Sequence, residues 1–377
     1  MRVGIHYPHP LYVGGGEKNL LRIAQILAEE NQVDFFCPAP FCRAEIEERL
    51  NCRLDGIRFH FRGPRPIGLI EEVVGYVGRP YDLFIETTNH VARVASLGKR
   101  SILIIQFPEV VGSRSPLNRL RNRSYEQAWC YSRFCQQWIF RRRGLTARVV
   151  YPPVDVDAVP VRDKENIILA VGRFFTGFHN KKHLMLIEVF KELTAQGLRG
   201  WELHLVGSSR DEPEHQAYLA AVRNAAAGAP IFIHTDLSRS ELLELYARSR
   251  IFWHATGCGE DGLAHPERQE HFGITTVEAM AAGAVPLSYA GGGQPEIIEN
   301  GETGFLWLTL DELHALTTTL VRQPRMWDEM SRGAREASLR FSSQRFRSQV
   351  LDAVLHGGRG TEMRTVVFPP ATAGGSE

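Results

Sequence analysis

Short runs of Val, Ile, Leu and Phe alternate along the chain with stretches whose apolar residues recur every three to four positions. Residues 2–7 read as a buried strand, the VGGG that follows interrupts it, and Leu20, Leu21, Ile23, Ala24, Ile26 and Leu27 place one apolar stripe on a helix over 17–30. Further strands are predicted at 32–37, 57–61, 83–86, 101–107 and 128–132, with a helix at 67–77. Tyr151-Pro152-Pro153 halts the pattern, because proline restricts its own backbone and that of the residue before it. The alternation then restarts with a strand at 167–171 ending at Gly172. Helices are predicted at 182–196, 215–226, 239–247 and near 275–282, and strands at 202–206, 231–234, 251–254, 284–289 and 304–307. Helices at 310–322 and 325–339 follow. Strand–helix–strand alternation implies parallel sheets with crossover helices. The expected class is α/β: two Rossmann-like, doubly wound domains facing each other across a cleft. Their expected bounds are 1–160 and 161–342, with a helix at 343–356 returning to the first domain and a small, polar, mobile tail at 357–377.

Composition changes this picture little. Hydrophobic residues at 44% and charged residues at 23% fit an ordinary globular protein and exclude a disordered chain. Lys and Arg number 44 against 43 Asp and Glu, so a whole-protein nucleic-acid footprint is excluded and no nucleic-acid partner is expected. No apolar run approaches the ~20 residues that span a bilayer, and MRVGIHYPHP has no secretory h-region, so a cytoplasmic location is expected. The cysteines at 37, 42, 52, 130, 135 and 258 form no C-x-x-C pair, which points to buried or incidental thiols rather than zinc. Asp155-Val156-Asp157 has the D-x-D spacing of a metal–diphosphate site, but its place after the double proline reads as an interdomain turn, and no metal is expected.

Ligands of such sheets bind at the carboxyl ends of the strands. The richest stretch there is EHFGITTVEAMAAGAVPL, residues 270–287. Phe272-Gly273 makes a turn and Thr275 or Thr276 opens a helix, whose free N–H groups around Ile274 suit a diphosphate. Glu278, expected in the first turn, would bind ribose hydroxyls, and Glu270 a sugar on the other side of the diphosphate. Glu278 as a routine helix-terminus acid is the plainer alternative. Gly172-Arg173 and Lys181 bring two cations to the opposite edge, where they would neutralise a departing diphosphate; solvated surface charge is the alternative.

These residues carry a family resemblance. VGRF…NKKHLMLIEVF, WELHLVG, EHFGITTVEAMAAG and GGGQPEIIENGETGF, in that order, resemble glycosyltransferase family 4 (group 1), the retaining GT-B enzymes, over nearly the whole second half. The resemblance maps the family's paired Glu onto Glu270 and Glu278, its Arg/Lys pair onto Arg173 and Lys181, and its glycine–proline–glutamate turn onto Gly291, Gly292, Gly293 and Glu296. VGGGEK resembles the family's glycine-rich loop and puts Gly14, Gly15, Gly16 and Glu17 beside the sugar diphosphate and acceptor. Gly172, Gly207, Phe272, Gly273, Ile274 and Thr275 complete the implied nucleotide-sugar site. HATGCGED…HPERQEHFG is similar to a mannosyltransferase subgroup.

The chain departs from the family pattern where a His often approaches the sugar: Gln106 stands there, with His90 nearby as a substitute. Lys181 is preferred over Lys182 and His183 because HLMLIEVF then falls into the family's register.

The implied donor is a nucleotide diphosphate sugar, best read as GDP-mannose, with no other cofactor. The implied acceptor is a glycan, lipid-linked or small-molecule. A UDP-sugar-dependent transferase and an epimerase of the same fold stay open. A dehydrogenase fails, since VGGGEK lacks the full G-x-G-x-x-G fingerprint. Base contacts are expected around 207–210 and 234–237. Finally, residues 114–148 hold nine Arg against Glu126, a balance of +8, with Tyr125, Trp129, Phe134, Trp138 and Phe140 interleaved. This run is expected to form a basic face for an anionic membrane surface or lipid-diphosphate, with a solvated basic surface as the alternative.

Overall fold

The structure is a computed structural model that describes residues 1–11, 14–63, 67–89, 91–107, 115–177 and 179–356. Two wholly parallel sheets organise it. The first has seven strands: β1 (Arg2–His6), β2 (Gln32–Cys37), β3 (Ile57–Phe61), β4 (Tyr81–Thr88), β5 (Gly98–Ile105), β6 (Gln127–Cys130) and β7 (Ala147–Val149), in the order β3-β2-β1-β4-β5-β6-β7. The second has six: β8 (Glu165–Val171), β9 (Glu202–Gly207), β10 (Ile231–Thr235), β11 (Ser249–His254), β12 (Val285–Tyr289) and β13 (Phe305–Trp307), in the order β10-β9-β8-β11-β12-β13. In each half the order reverses beside the first strand, and that switch point opens a crevice at the strands' carboxyl ends.

Each sheet has its own core. Val3, Ile5, Phe35, Ile85, Ile102 and Ile104 pack under Leu20 and Leu27 of the helix Gly15–Ala28 in the first half. Phe346, Val350 and Val354 of the helix Ser343–His356 join that same cluster, so the end of the described chain packs on the first half. Ile168, Leu203, Leu205, Trp253 and Leu287 pack with Leu186 and Phe190 in the second. A further cluster, Val154, Val156, Phe272, Val277, Ile297 and Phe341, lies at the junction between the halves. The segment 357–377 lies outside the described residues.

Differences from the expected elements have local causes. β6 ends at Cys130 rather than 132 because the Ser132 hydroxyl accepts from the Cys135 N–H at 3.0 Å and caps the helix Arg133–Arg143. The helix Arg43–Leu50 has no amphipathic signature, as only Ile46 and Leu50 are buried. At the start of the second half, β8 and β9 converge so closely that a methyl group on Gly207 would strike the Gly172 carbonyl, and the Gly172 N–H donates to the Val206 carbonyl at 2.8 Å.

Asp155 is not placed to hold a metal. Its carboxylate is buried and accepts from Lys18 Nζ at 2.8 Å, Arg22 Nη2 at 2.9 Å, Ser343 Oγ at 2.9 Å and Asn51 Nδ2 at 3.2 Å. Burial alone would raise its pKa, but Lys18 and Arg22 hold the carboxyl below the usual range. Among the described residues no cluster of His, Cys, Asp and Glu is arranged to hold a metal ion.

Candidate active site

Glu270 is the hub of the crevice in the second half. Its Oε2 accepts from Lys181 Nζ at 2.6 Å and from His254 Nε2 at 3.1 Å. Lys181 reaches it because its side chain crosses Gly172, where any β-carbon would meet the lysine stem. His254 reaches it from the end of β11. The backbone of Glu270 is gripped as well: its carbonyl accepts from the Gly293 N–H at 2.7 Å, and Gly292, at φ 61, lies so close to that carbonyl that no side chain fits. The GGG turn thus sets the position of Glu270. Burial opposes ionisation of this carboxyl, but the Lys181 ammonium and His254 outweigh it and hold its pKa well below the carboxylate range.

Of the three candidates in the KKH triplet, Lys181 is the one whose ammonium meets Glu270. Lys182 pairs with Glu260 at 2.6 Å, and His183 is buried against Tyr218. Arg173 is exposed at the crevice edge, its guanidinium 5.7 Å from the centre of the Phe175 ring.

The helix Ile274–Ala281 begins behind Gly273, at φ 124, and no side chain caps it. It starts earlier than expected, so Glu278 lies beyond the first turn. Glu278 is also buried and paired, its Oε1 2.7 Å from Arg239 Nη2. Phe272 faces away from the crevice, packing on Tyr151 and Phe341 in the junction core. Gly273 is required for a different reason from the one its sequence suggests: a side chain there would strike the Gln294 amide, which donates to the Phe272 carbonyl at 3.0 Å and accepts from Thr276 Oγ1 at 2.9 Å. Thr275 is partly exposed on the first turn.

From the first half, Gln106 follows β5 directly and its amide lies against Gly16, where a β-carbon would displace it. Gly15 faces Ile274 across the crevice. His90 lies outside the described residues. Gly207 and the segments 207–210 and 234–237 stand at the ends of β9 and β10. Glu296 belongs to the contact between halves rather than to the crevice: it accepts from the Arg133 and Phe134 N–H groups at 2.7 and 2.8 Å and from the Tyr151 hydroxyl at 3.1 Å. It therefore caps the amino end of a first-half helix.

Three histidines escaped the sequence reading. His254, His179 and His271 surround Glu270, and His271 stacks on Phe107 of the first half at 4.0 Å between ring centres. His254 and His271 lie in a stretch already notable for its resemblance, but single histidines carry no periodicity. Burial pushes His179 down to about 4, with Glu270 opposing, and burial likewise lowers His254 and His271. The folded protein thus keeps these rings neutral in a range where the unfolded chain protonates them near 6.5. Stability is fully present above 6.5 and falls as the pH drops toward 4. The expected loss from His179 alone is on the order of 3 kcal/mol. Melting temperatures recorded across this range should decline, and His179→Gln should flatten the decline. A parent curve that is level between pH 6.5 and 4 would refute the assignment.

Residues 155–337 match the family model described as glycosyl transferases group 1. This segment is a group 1 glycosyltransferase domain. A Dictyostelium discoideum protein named GDP-Man:Man(3)GlcNAc(2)-PP-Dol alpha-1,2-mannosyltransferase is 27% identical over 259 residues, which cover 64% of this chain and 48% of that protein. The chain spans about half the length of the curated relatives of this name that it matches. Among solved structures, Anabaena HepE in complex with UDP superposes with a TM-score of 0.72 at 18% identity, covering 94% of this chain and 99% of that one. A Rickettsia africae glycosyltransferase does so with a TM-score of 0.70 at 16% identity, covering 94% and 99%. The two sheets are those of the GT-B fold, and Glu270, Lys181, Gly172 and the helix Ile274–Ala281 all lie inside the matched segment.

Proposed function

We propose that the protein is a retaining, nucleotide-sugar-dependent hexosyltransferase that moves mannose from GDP-mannose to a lipid-linked glycan, working peripherally at the cytoplasmic face of a membrane. The observation that carries this reading is the Glu270–Lys181 pair beside an uncapped helix terminus inside a group 1 domain. The names of the sequence relatives supply the choice of GDP-mannose and of a lipid-linked acceptor. The donor diphosphate lies against the N–H groups at Ile274 and Thr275, where the helix dipole is positive. Arg173 and Lys181 neutralise the charge that grows on the departing nucleoside diphosphate, each worth about 3–4 kcal/mol of barrier. Glu270, ionised and fixed by Lys181 and His254, accepts from a sugar hydroxyl. Gln106 donates to the sugar from the first half, as a neutral amide that moves no proton. Glu278, held by Arg239, meets the ribose. The acceptor enters from the side of Gly15 and Gly16 and attacks on the face the leaving group departs from, which retains configuration.

A thermal-shift panel of GDP, UDP and ADP tests the donor: the matching nucleotide at 100 times its dissociation constant should stabilise the fold by about 2.7 kcal/mol. Transfer from the matching sugar nucleotide should persist in excess EDTA, because side chains carry the charge. Loss in EDTA with recovery on adding Mg²⁺ or Mn²⁺ would overturn this mechanism. Conversion of the donor sugar without an acceptor would instead establish an epimerase.

A further inference from the structure

The helix Leu69–Gly78 is built inside out. Its buried residues are Glu72 and Gly75, while Leu69, Ile70, Val73, Val74 and Val77 are between 57% and 81% exposed. At the α-helical repeat these five residues share one stripe roughly 140° wide, opposite the Glu72–Gly75 edge. The inward edge is fully engaged. Glu72 accepts from the Ala95 N–H at 2.7 Å and takes two bonds, at 2.7 and 2.5 Å, from the Arg121 guanidinium. Gly75 lets the helix settle against Leu97. A soluble helix ordinarily turns its Leu, Ile and Val inward; here a carboxylate and a glycine hold that place and the branched side chains face out.

The ion pair ties this helix to a second one, Pro116–Arg123, in which no residue is buried and Leu117 and Leu120 are 44% and 52% exposed. Arg119 and Arg123 of this second helix are exposed, as is Arg93, two residues before the Ala95 that bonds Glu72. The acids of the first helix are matched: Glu71 pairs with Arg62 at 2.9 Å and Glu72 with Arg121. An apolar surface with a cationic rim is therefore left outward. The rest of the basic run does not contribute one continuous face. Arg142 pairs with Glu267 of the second half, Arg148 with Asp352, Arg143 donates to the Asn89 carbonyl, and Arg141 and Arg142 lie over Trp138. Arg114 lies outside the described residues. Both outward helices start at the edge where the strands end, the edge that carries Gln106.

We propose that this face rests on an anionic bilayer, the helix Leu69–Gly78 lying in the interface with its branched side chains at acyl-chain depth and Arg93, Arg119 and Arg123 at the lipid phosphates. A second copy is a poorer occupant, since a twofold contact would set one arginine rim against another. This locates the peripheral contact proposed above and does not rest on the identity of the donor.

Vesicle flotation of the full chain tests it, with phosphatidylcholine alone and with phosphatidylcholine mixed with phosphatidylglycerol. The parent should float with the anionic vesicles at low salt and less so at high salt. The double variant Ile70→Ser/Val74→Ser should lose at least about tenfold in partitioning, and Arg119→Glu/Arg123→Glu should lose the preference for anionic lipid. All these side chains are exposed, so melting temperature and nucleotide-induced thermal shift should match the parent. Failure of nucleotide binding therefore bears on the donor site and leaves this test intact. A parent that stays unbound to both vesicle types, or serine variants that bind undiminished, would overturn the proposal. So would a dimer in solution that the serine variants dissociate.

Discussion

Replacing Lys181 by alanine is expected to lower kcat by about 10²–10³-fold, the cost of removing one preorganised donor of charge at a leaving group. The lysine has two duties. It carries positive charge to the crevice edge, and it holds Glu270 ionised in a buried place through a contact of 2.6 Å. Without it, the Glu270 carboxylate keeps the side-chain bond from His254, a ring that burial itself drives toward neutrality. The Glu270 carboxyl should then titrate higher, and the acid limb of the pH–rate profile should move up. Lys181→Arg should not restore activity, because the lysine stem threads past Gly172 where a side chain has no room to spare. Lys182→Ala is the control: its partner is Glu260, and its loss should change turnover little. Single-turnover transfer rates with a thermal-shift titration of the nucleotide separate chemistry from binding. A Lys181→Ala enzyme within a few-fold of the parent would refute the assignment.

Asp155→Ala is expected to cost about 3–5 kcal/mol of stability, the usual penalty for leaving buried charges without their partner. Lys18 and Arg22 both converge on this carboxylate, and Ser343 and Asn51 complete its bonds. The loss should lower the melting temperature by on the order of 10 °C. Asp157→Ala serves as comparison, since Asp157 is exposed. A melting temperature of the Asp155 variant within a degree of the parent would show that the cluster contributes nothing. If Asp155 served a metal, chelation would lower the parent's melting temperature; no such change is expected.

Much of the architecture was legible in the chain because each half follows one simple pattern. The run QVDFFC and the alternating IRFHF appear as β2 and β3 with the expected bounds, β2 buried and β3 at the sheet's edge with Arg58 and Phe61 exposed. The helix Leu310–Arg322 likewise matches its stripe. Gly172, read from the sequence as the end of a strand, proved to be where the Lys181 stem crosses, which only the fold shows. Elements with weak patterns were not legible: the helix Arg43–Leu50 buries little, and the reversed helix Leu69–Gly78 reads from its apolar content as an ordinary core helix.

By itself the sequence determined the fold class and the order of the elements, because hydrophobic periodicity is a local property. Tertiary structure alone decided the partners. Lys181 and His254 are far apart along the chain and meet on Glu270 because β8 and β11 are neighbours in the sheet. Glu278 is occupied by Arg239, Phe272 turns into the junction core, and Glu296 caps a helix of the other half. Each of these depends on which surfaces face one another after folding. Charge behaves the same way: a run of arginines is a composition, and whether it becomes a face or a set of ion pairs is settled by the acids that packing brings within reach.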